Sequence, residues 1–144
     1  MATTYLERTL GTPTNNLKCT LSMWVKRLDI GSTHDLFTCG SDNNNEFLLR
    51  LDNDDTLLCK MDSGGTEEMS RRTNRKFRDT NAWLHIVVSV DTTLSTASDR
   101  QKIYINGVQE TSFSSTVNFG LNNGLFVNSA IAHYIGRRSF SNSN

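Results

Sequence analysis

Apolar residues recur at every second position over several short stretches of this chain, the period of a strand with one covered face. In Lys18 to Lys26 (KCTLSMWVK), Cys19, Leu21, Met23 and Val25 share one face, and Thr20, Ser22 and Trp24 share the other. Trp83 to Val90 (WLHIVVSV) is apolar enough to lie in the middle of a sheet. Shorter strands are predicted at Tyr5 to Thr9, Leu36 to Cys39, Glu46 to Leu51, Thr56 to Lys60, Thr66 to Arg72 and Lys102 to Val108. Weaker ones fall near Thr111 to Ser114 and at His133 to Ile135, while Leu121 to Ser129 is ambiguous. Gly40 to Asn45 (GSDNNN) reads as turn or loop, and Asp52-Asn53-Asp54-Asp55 as the turn of a hairpin. Asn106-Gly107 suits a two-residue type I′ turn, because both positions need φ > 0. No helix longer than a turn or two is convincing. Regularly spaced short strands predict an all-β fold, a two-sheet antiparallel jelly-roll sandwich.

Composition narrows the classes. At 144 residues the chain suits one domain. Residues 1–16 read as a leader with a short edge strand, 18–136 as the body and 137–144 as a polar tail. Fifteen basic and fifteen acidic residues cancel, which argues against nucleic acid as partner, since that affinity rests on a positive field. No stretch approaches the ~20 apolar residues of a membrane span, so no membrane insertion is expected. The N-terminus also lacks an apolar signal-peptide core. The expected route is synthesis in the cytosol and arrival outside on a larger particle. Cys19, Cys39 and Cys59 leave an odd thiol under any pairing and form no CxxC element, so they read as small buried strand residues.

Three segments carry a resemblance. TLSMWVK (Thr20 to Lys26), AWLHIVVSVD (Ala82 to Asp91) and QKIYINGV (Gln101 to Val108) resemble, in order and separation, strands of the concanavalin A-like, or laminin-G-like, jelly-roll superfamily. The wording is closer still to a branch found in marine phage and virus structural proteins of tail or fibre type. Tyr5-Leu6-Glu7-Arg8-Thr9 and the turn RDTNAW (Arg78 to Trp83) carry that likeness. The resemblance implies a non-catalytic binding module of a virion or other surface-exposed assembly, recognising carbohydrate. The alternative is a decoration protein contacting other virion subunits, and a glycosidase-like enzyme is the third reading. It also implies that Trp24 and Trp83 pack in the core, as tryptophan does at those positions of the fold. In such domains a further strand follows the Ile135-Gly136 pair. Here Arg137 to Asn144 (RRSFSNSN) is polar, so the last strand is expected from a longer chain or another subunit, making a homo-oligomer or larger assembly.

Glycoside hydrolysis needs two carboxylates across the scissile bond, and no strand carries alternating acidic residues that would supply them. Glu67-Glu68 are adjacent and face opposite sides, and no GxSxG occurs. No catalytic residue is therefore assigned. Calcium is the cofactor to consider, because hard cations need several oxygen ligands and many lectins of this type bind it in loops. Asp42, Asn44, Asp52, Asp54 and Asp55 are the candidate ligands, although tight turns also favour Asp and Asn. For a sugar, Tyr104 faces away from Ile103 and Ile105, and His85 shares a face with Trp83. Arg71, Arg72 and Arg75, with Lys76, form a basic cluster that is either a solvated edge strand or a patch for acidic polysaccharide.

Overall fold

A computed structural model describes residues 4–140 and is all-β apart from one 3-10 turn at Ala97–Asp99. The strands are β1 (Leu6–Thr9), β2 (Lys18–Lys26), β3 (His34–Asp42), β4 (Asn45–Leu51), β5 (Thr56–Ser63) and β6 (Thr66–Lys76). They continue with β7 (Trp83–Asp91), β8 (Gln101–Ile105), β9 (Val108–Glu110), β10 (Phe113–Val117) and β11 (Ala132–Ile135). Two antiparallel sheets form, of seven strands in the order β1-β11-β3-β4-β5-β6-β10 and of four in the order β2-β7-β8-β9. This is the jelly-roll sandwich that the periodicity predicts. Among the described residues no helix is long and apolar enough to cross a membrane.

Period-two alternation puts one face of each strand into the shared interior. From the large sheet come Phe47, Leu49 and Leu51 of β4, Leu57, Cys59 and Met61 of β5, and Met69 of β6. From the small sheet come Leu84, Ile86, Val88 and Val90 of β7, and Ile103 and Ile105 of β8. The segment 121–129, without regular structure, still supplies Leu125 and Val127 to the core. All three cysteines are free thiols. Burial pushes Cys19 up to about 11 and Cys39 up to about 12, so both stay protonated at neutral pH.

Several boundaries differ from expectation. Gly40–Asp42 belongs to β3 rather than to a loop, with a register irregularity between Gly40 and Asp42. Gly40 has φ 144°, and a Cβ there would sit 2.3 Å from the Asn45 carbonyl oxygen, so only glycine fits. Strand β6 runs on to Lys76, because Asn74 donates its N–H to Ser112 O at 3.0 Å beyond the predicted end. At the N-terminus, β1 pairs with β11 as an edge strand, and the first residues of the leader lie outside the described residues. Arg137 to Phe140 do not trail away as a tail. Thr38 Oγ1 donates to Arg137 O at 2.9 Å, and Arg138 reaches back to Glu46.

The tryptophans require a correction. Neither is in the core, since Trp24 is 66% and Trp83 58% exposed. The physical reason lies in the alternation itself. Cys19, Leu21, Met23 and Val25 take the interior side of β2, and Leu84, Ile86, Val88 and Val90 that of β7. The even positions of β2 and odd positions of β7 must then face out.

Candidate functional site

The four-stranded sheet sets its register first. Trp24 stands opposite His85, Ser22 opposite Val87, and Lys26 opposite Trp83 on neighbouring strands. Val87 in turn stands opposite Tyr104 of β8. Facing residues of antiparallel strands lie within about 5 Å, so Trp24, His85, Trp83 and Tyr104 gather at one end of the outer face.

Trp24 and His85 are stacked, with ring centroids 4.8 Å apart and planes inclined by 14°. The imidazole is held on its other side as well. His85 Nε2 lies 3.0 Å from Ser22 Oγ, and the His85 backbone N–H donates to Asn106 Oδ1 at 2.8 Å. Asn106 is fixed in turn by the β8–β9 turn, where it has φ 51° and Gly107 φ 81°, the type I′ geometry expected of Asn-Gly. The stacked pair is therefore pre-positioned, and little side-chain freedom remains to be lost on binding. Tyr104 is half-buried beside it. Chemically this is an apolar, π-faced platform edged by a hydroxyl, an imidazole and Lys26. It suits a ligand with one apolar face and hydroxyls around its rim.

The far end of the same face is polar. Lys18 Nζ lies 2.8 Å from Asp91 Oδ2, and Thr93 Oγ1 donates to the other oxygen at 2.6 Å. The Lys18 ammonium, helped by the Thr93 hydroxyl, holds the Asp91 carboxyl down at about 2.

The outer face of the seven-stranded sheet is of another kind. Glu46, Leu48 and Arg50 of β4, Leu58 and Lys60 of β5 and Arg72 of β6 line a groove of about 350 Å³ beneath Arg138. The Glu46 side chain is 1% exposed and accepts from Arg138 Nη2 at 2.6 Å and Nε at 3.1 Å, a bidentate pair. Lys60 holds Asp62 at 2.6 Å, while Arg72 and Arg50 hold Asp52 at 2.9 Å and 3.2 Å. Asp35 is the exception, its carboxyl raised by burial that Arg50 and Arg138 only partly offset.

The sequence candidates scatter across this framework. Tyr104 and His85 come together on the aromatic platform. The basic cluster does not hold together. Arg71 is only 4% exposed, turns inward over Phe113 and donates to Val117 O at 3.1 Å and Asn118 Oδ1 at 2.5 Å. Arg72 is tied to Asp52, and exposed Arg75 lies over the Phe77 ring at 5.2 Å.

The candidate calcium ligands are divided between the two ends of β4, about 20 Å apart at the rise of a strand. Asp42 accepts from the Asn44 N–H at 2.8 Å, and Asp54 from the Thr56 hydroxyl at 2.6 Å. Asp55 sits between Arg27 at 2.8 Å and Arg78 at 2.9 Å. Among the described residues no group of three or more His, Cys, Asp or Glu side chains is placed to hold a metal ion.

Comparison with known proteins agrees with this architecture. A family model described as the concanavalin A-like lectin/glucanases superfamily matches residues 2–144. The native heptameric SAP-like pentraxin from Limulus polyphemus superposes with a TM-score of 0.58 at 16% identity, over 92% of this chain and 57% of that one. Domains LG4-5 of the mouse laminin alpha1 chain superpose at 0.48 and 13% identity, over 100% of this chain and 39% of that one. The chain thus spans under two thirds of the length of either. No curated protein matches its sequence.

Proposed function

Because this chain belongs to the concanavalin A-like lectin/glucanases superfamily, we propose that it is a non-catalytic carbohydrate-binding module whose platform is the outer face of the four-stranded sheet. The observation that carries this reading is the pair of exposed indoles, one of them stacked on His85, on an otherwise polar face. Water makes such a surface unfavourable, and an interaction partner is the usual reason for one. A pyranose ring lies with its apolar face on Trp24 or Trp83, and Ser22, His85 and Tyr104 are within reach of its hydroxyls. The site is shallow, so single-site affinity is low and strength comes from repetition on an assembly displayed at a virion or other exterior surface. The absence of catalysis is part of the proposal. It is supported by Glu46, Asp52 and Asp62 each being committed to a cationic partner. A carboxylate so held is poorly placed to exchange protons with a substrate.

A glycan array followed by titration calorimetry tests the proposal. Trp24→Ala should weaken binding to the best glycan by about tenfold, the value of one aromatic contact of about 1.4 kcal/mol. Array silence, or binding indifferent to both Trp24→Ala and Trp83→Ala, would overturn it and leave the decoration role.

A further inference from the structure

Among the described residues Arg27, Arg71 and Arg100 are the buried arginines, and they meet burial differently. Arg27 has the Asp55 carboxylate at 2.8 Å. Arg100 donates from Nε, Nη1 and Nη2 to the carbonyls of Leu94, Phe119 and Ser95. Arg71 has less. Its Nη1 donates to Ser70 O at 3.2 Å and Val117 O at 3.1 Å, and its Nη2 to Asn118 Oδ1. A guanidinium carries five N–H groups. The Nε–H and one on Nη2 are therefore left over, and those two nitrogens form an edge that takes a carboxylate bidentately. Burial lowers the Arg71 pKa, and the Cys59 thiol alone acts against that, with no carboxylate beside it.

A second polar group is left over in the same place. Gln101 of β8 takes the inward position in line with Ile103 and Ile105 and is 3% exposed. Neither its Nε2 nor its Oε1 has a hydrogen-bond partner, and native folds seldom leave a buried amide so. The neighbouring Cys59 thiol is only a weak partner for it. Arg71 and Gln101 line one cleft of about 270 Å³ between β6–β10 of the larger sheet and β8–β9 of the smaller, with Ser98, Glu110, Phe113 and Thr116 on its other walls. We propose that this cleft binds a small hydroxylated monocarboxylate, a sugar acid, whose carboxylate is forked on Arg71 Nε and Nη2 and accepts from the Gln101 amide. Size and charge select the class. The cleft lies just below the ~300 Å³ at which pockets for drug-sized ligands begin, so it takes a single sugar-sized unit. Lys102 on its rim is held by Asp99 at 3.3 Å, and Glu110 repels a second negative charge. A monoanion matches what remains. Phe113 offers an apolar face, and the Ser98 and Thr116 hydroxyls and the Glu110 carboxylate suit the ligand's own hydroxyls.

Amide correlation spectra of the isotope-labelled 144-residue chain, titrated with glucuronate and with neutral glucuronamide of the same shape, test the site. Glucuronate should shift the Arg71 Nε–H and Gln101 side-chain resonances saturably, with a Kd of about 1–5 mM. Glucuronamide should bind there at least about tenfold more weakly. Arg71→Met keeps the length of the stem and removes the charge, and it should abolish the Gln101 shift. Glu110→Gln, a milder change at the rim that leaves the interior intact, should tighten glucuronate about two- to fivefold. The site lies between the sheets and away from the tryptophan platform, so Trp24→Ala should leave these shifts unchanged. No saturable shift at about 20 mM glucuronate, or equal binding of glucuronamide, would sink the assignment. Weaker glucuronate binding by Glu110→Gln would sink it too, even if Arg71→Met failed to fold.

Discussion

The two sheets of this sandwich turn opposite chemistries to solvent. On the larger sheet, Glu46, Asp52 and Asp62 are each matched to Arg138, Arg72 or Lys60 within 2.9 Å, and the arginine and lysine stems cover Leu48 and Leu58. On the smaller sheet two indoles stand open beside an imidazole, with nothing of the described chain over them. The first surface pairs Glu46, Asp52 and Asp62 internally and contributes to holding the fold. The second leaves apolar area uncovered that the fold does not use. Exposure of large apolar area without a stabilising role marks a surface for interaction.

That contrast implies an inverted response to mutation, and the larger effect is on the charged face. Glu46→Gln leaves the Arg138 guanidinium without its bidentate acceptor and an amide in a site 1% exposed. A loss of about 2 kcal/mol is expected from one charge-assisted pair of this burial, a fall in Tm of roughly 4–8 °C for a chain of this size. Trp24→Ala should shift Tm far less, since an exposed side chain contributes within about 0.5 kcal/mol, while it weakens glycan binding about tenfold. Calorimetric melts of both variants decide the matter. Should Trp24→Ala prove the more destabilising, the indole belongs to the fold, and the distinction between the two faces fails.

Acid sharpens the comparison at a lower amplitude. The Asp52 carboxyl is pushed up by burial but drawn further down by Arg50 and Arg72. Asp54 is held low chiefly by the Thr56 hydroxyl, and Asp91 at about 2 by Lys18. Each is depressed below the ~3.9 of an unfolded chain, so the unfolded state binds more protons through this window and stability falls as pH falls. The loss should be confined to pH values between roughly 4 and 2, with a flat profile from 5 to 7 as far as these groups govern it. Urea midpoints across that range measure it. A decline beginning near pH 6 would mean that groups other than these aspartates set the acid limit.

How much of this was legible beforehand follows from the range of each cause. Period two in KCTLSMWVK and the glycine requirement at Asn106-Gly107 act over two to four residues, and both β2 and the β8–β9 turn fall where the sequence puts them. The outward face of Trp24 was equally local, shared with Thr20 and Ser22. The implied core position came from resemblance and overrode the alternation. Arg138 meeting Glu46 spans 92 residues, and Arg71 meeting Asn118 spans 47. No spacing rule encodes either. Whether RRTNRK is a patch or three separate arginines depends on which side of β6 faces the core, and a register irregularity between Met61 and Asp62 precedes that stretch.

The smallest expected effect concerns calcium, and it is set by which cations already occupy the loop carboxylates. Around Asp52 and Asp55 the positive charge comes from Arg50, Arg72, Arg27 and Arg78 at 2.8–3.2 Å. A calcium ion needs six to eight oxygen ligands within about 2.6 Å. To gather them here it would have to displace guanidinium groups that also hold backbone carbonyls, as Arg27 does with Phe77 O at 2.8 Å. Asp42 and Asn44 lie a strand length away and cannot complete the shell. Millimolar calcium, or a chelator in its place, should therefore move Tm by less than about 1 °C, since a ligand far below its Kd contributes little to RT ln(1 + [L]/Kd). A larger shift that Asp42→Ala alone abolished would reveal a site built on the β3–β4 turn, and would put glycan contacts on the large sheet's rim as well as on the tryptophan platform.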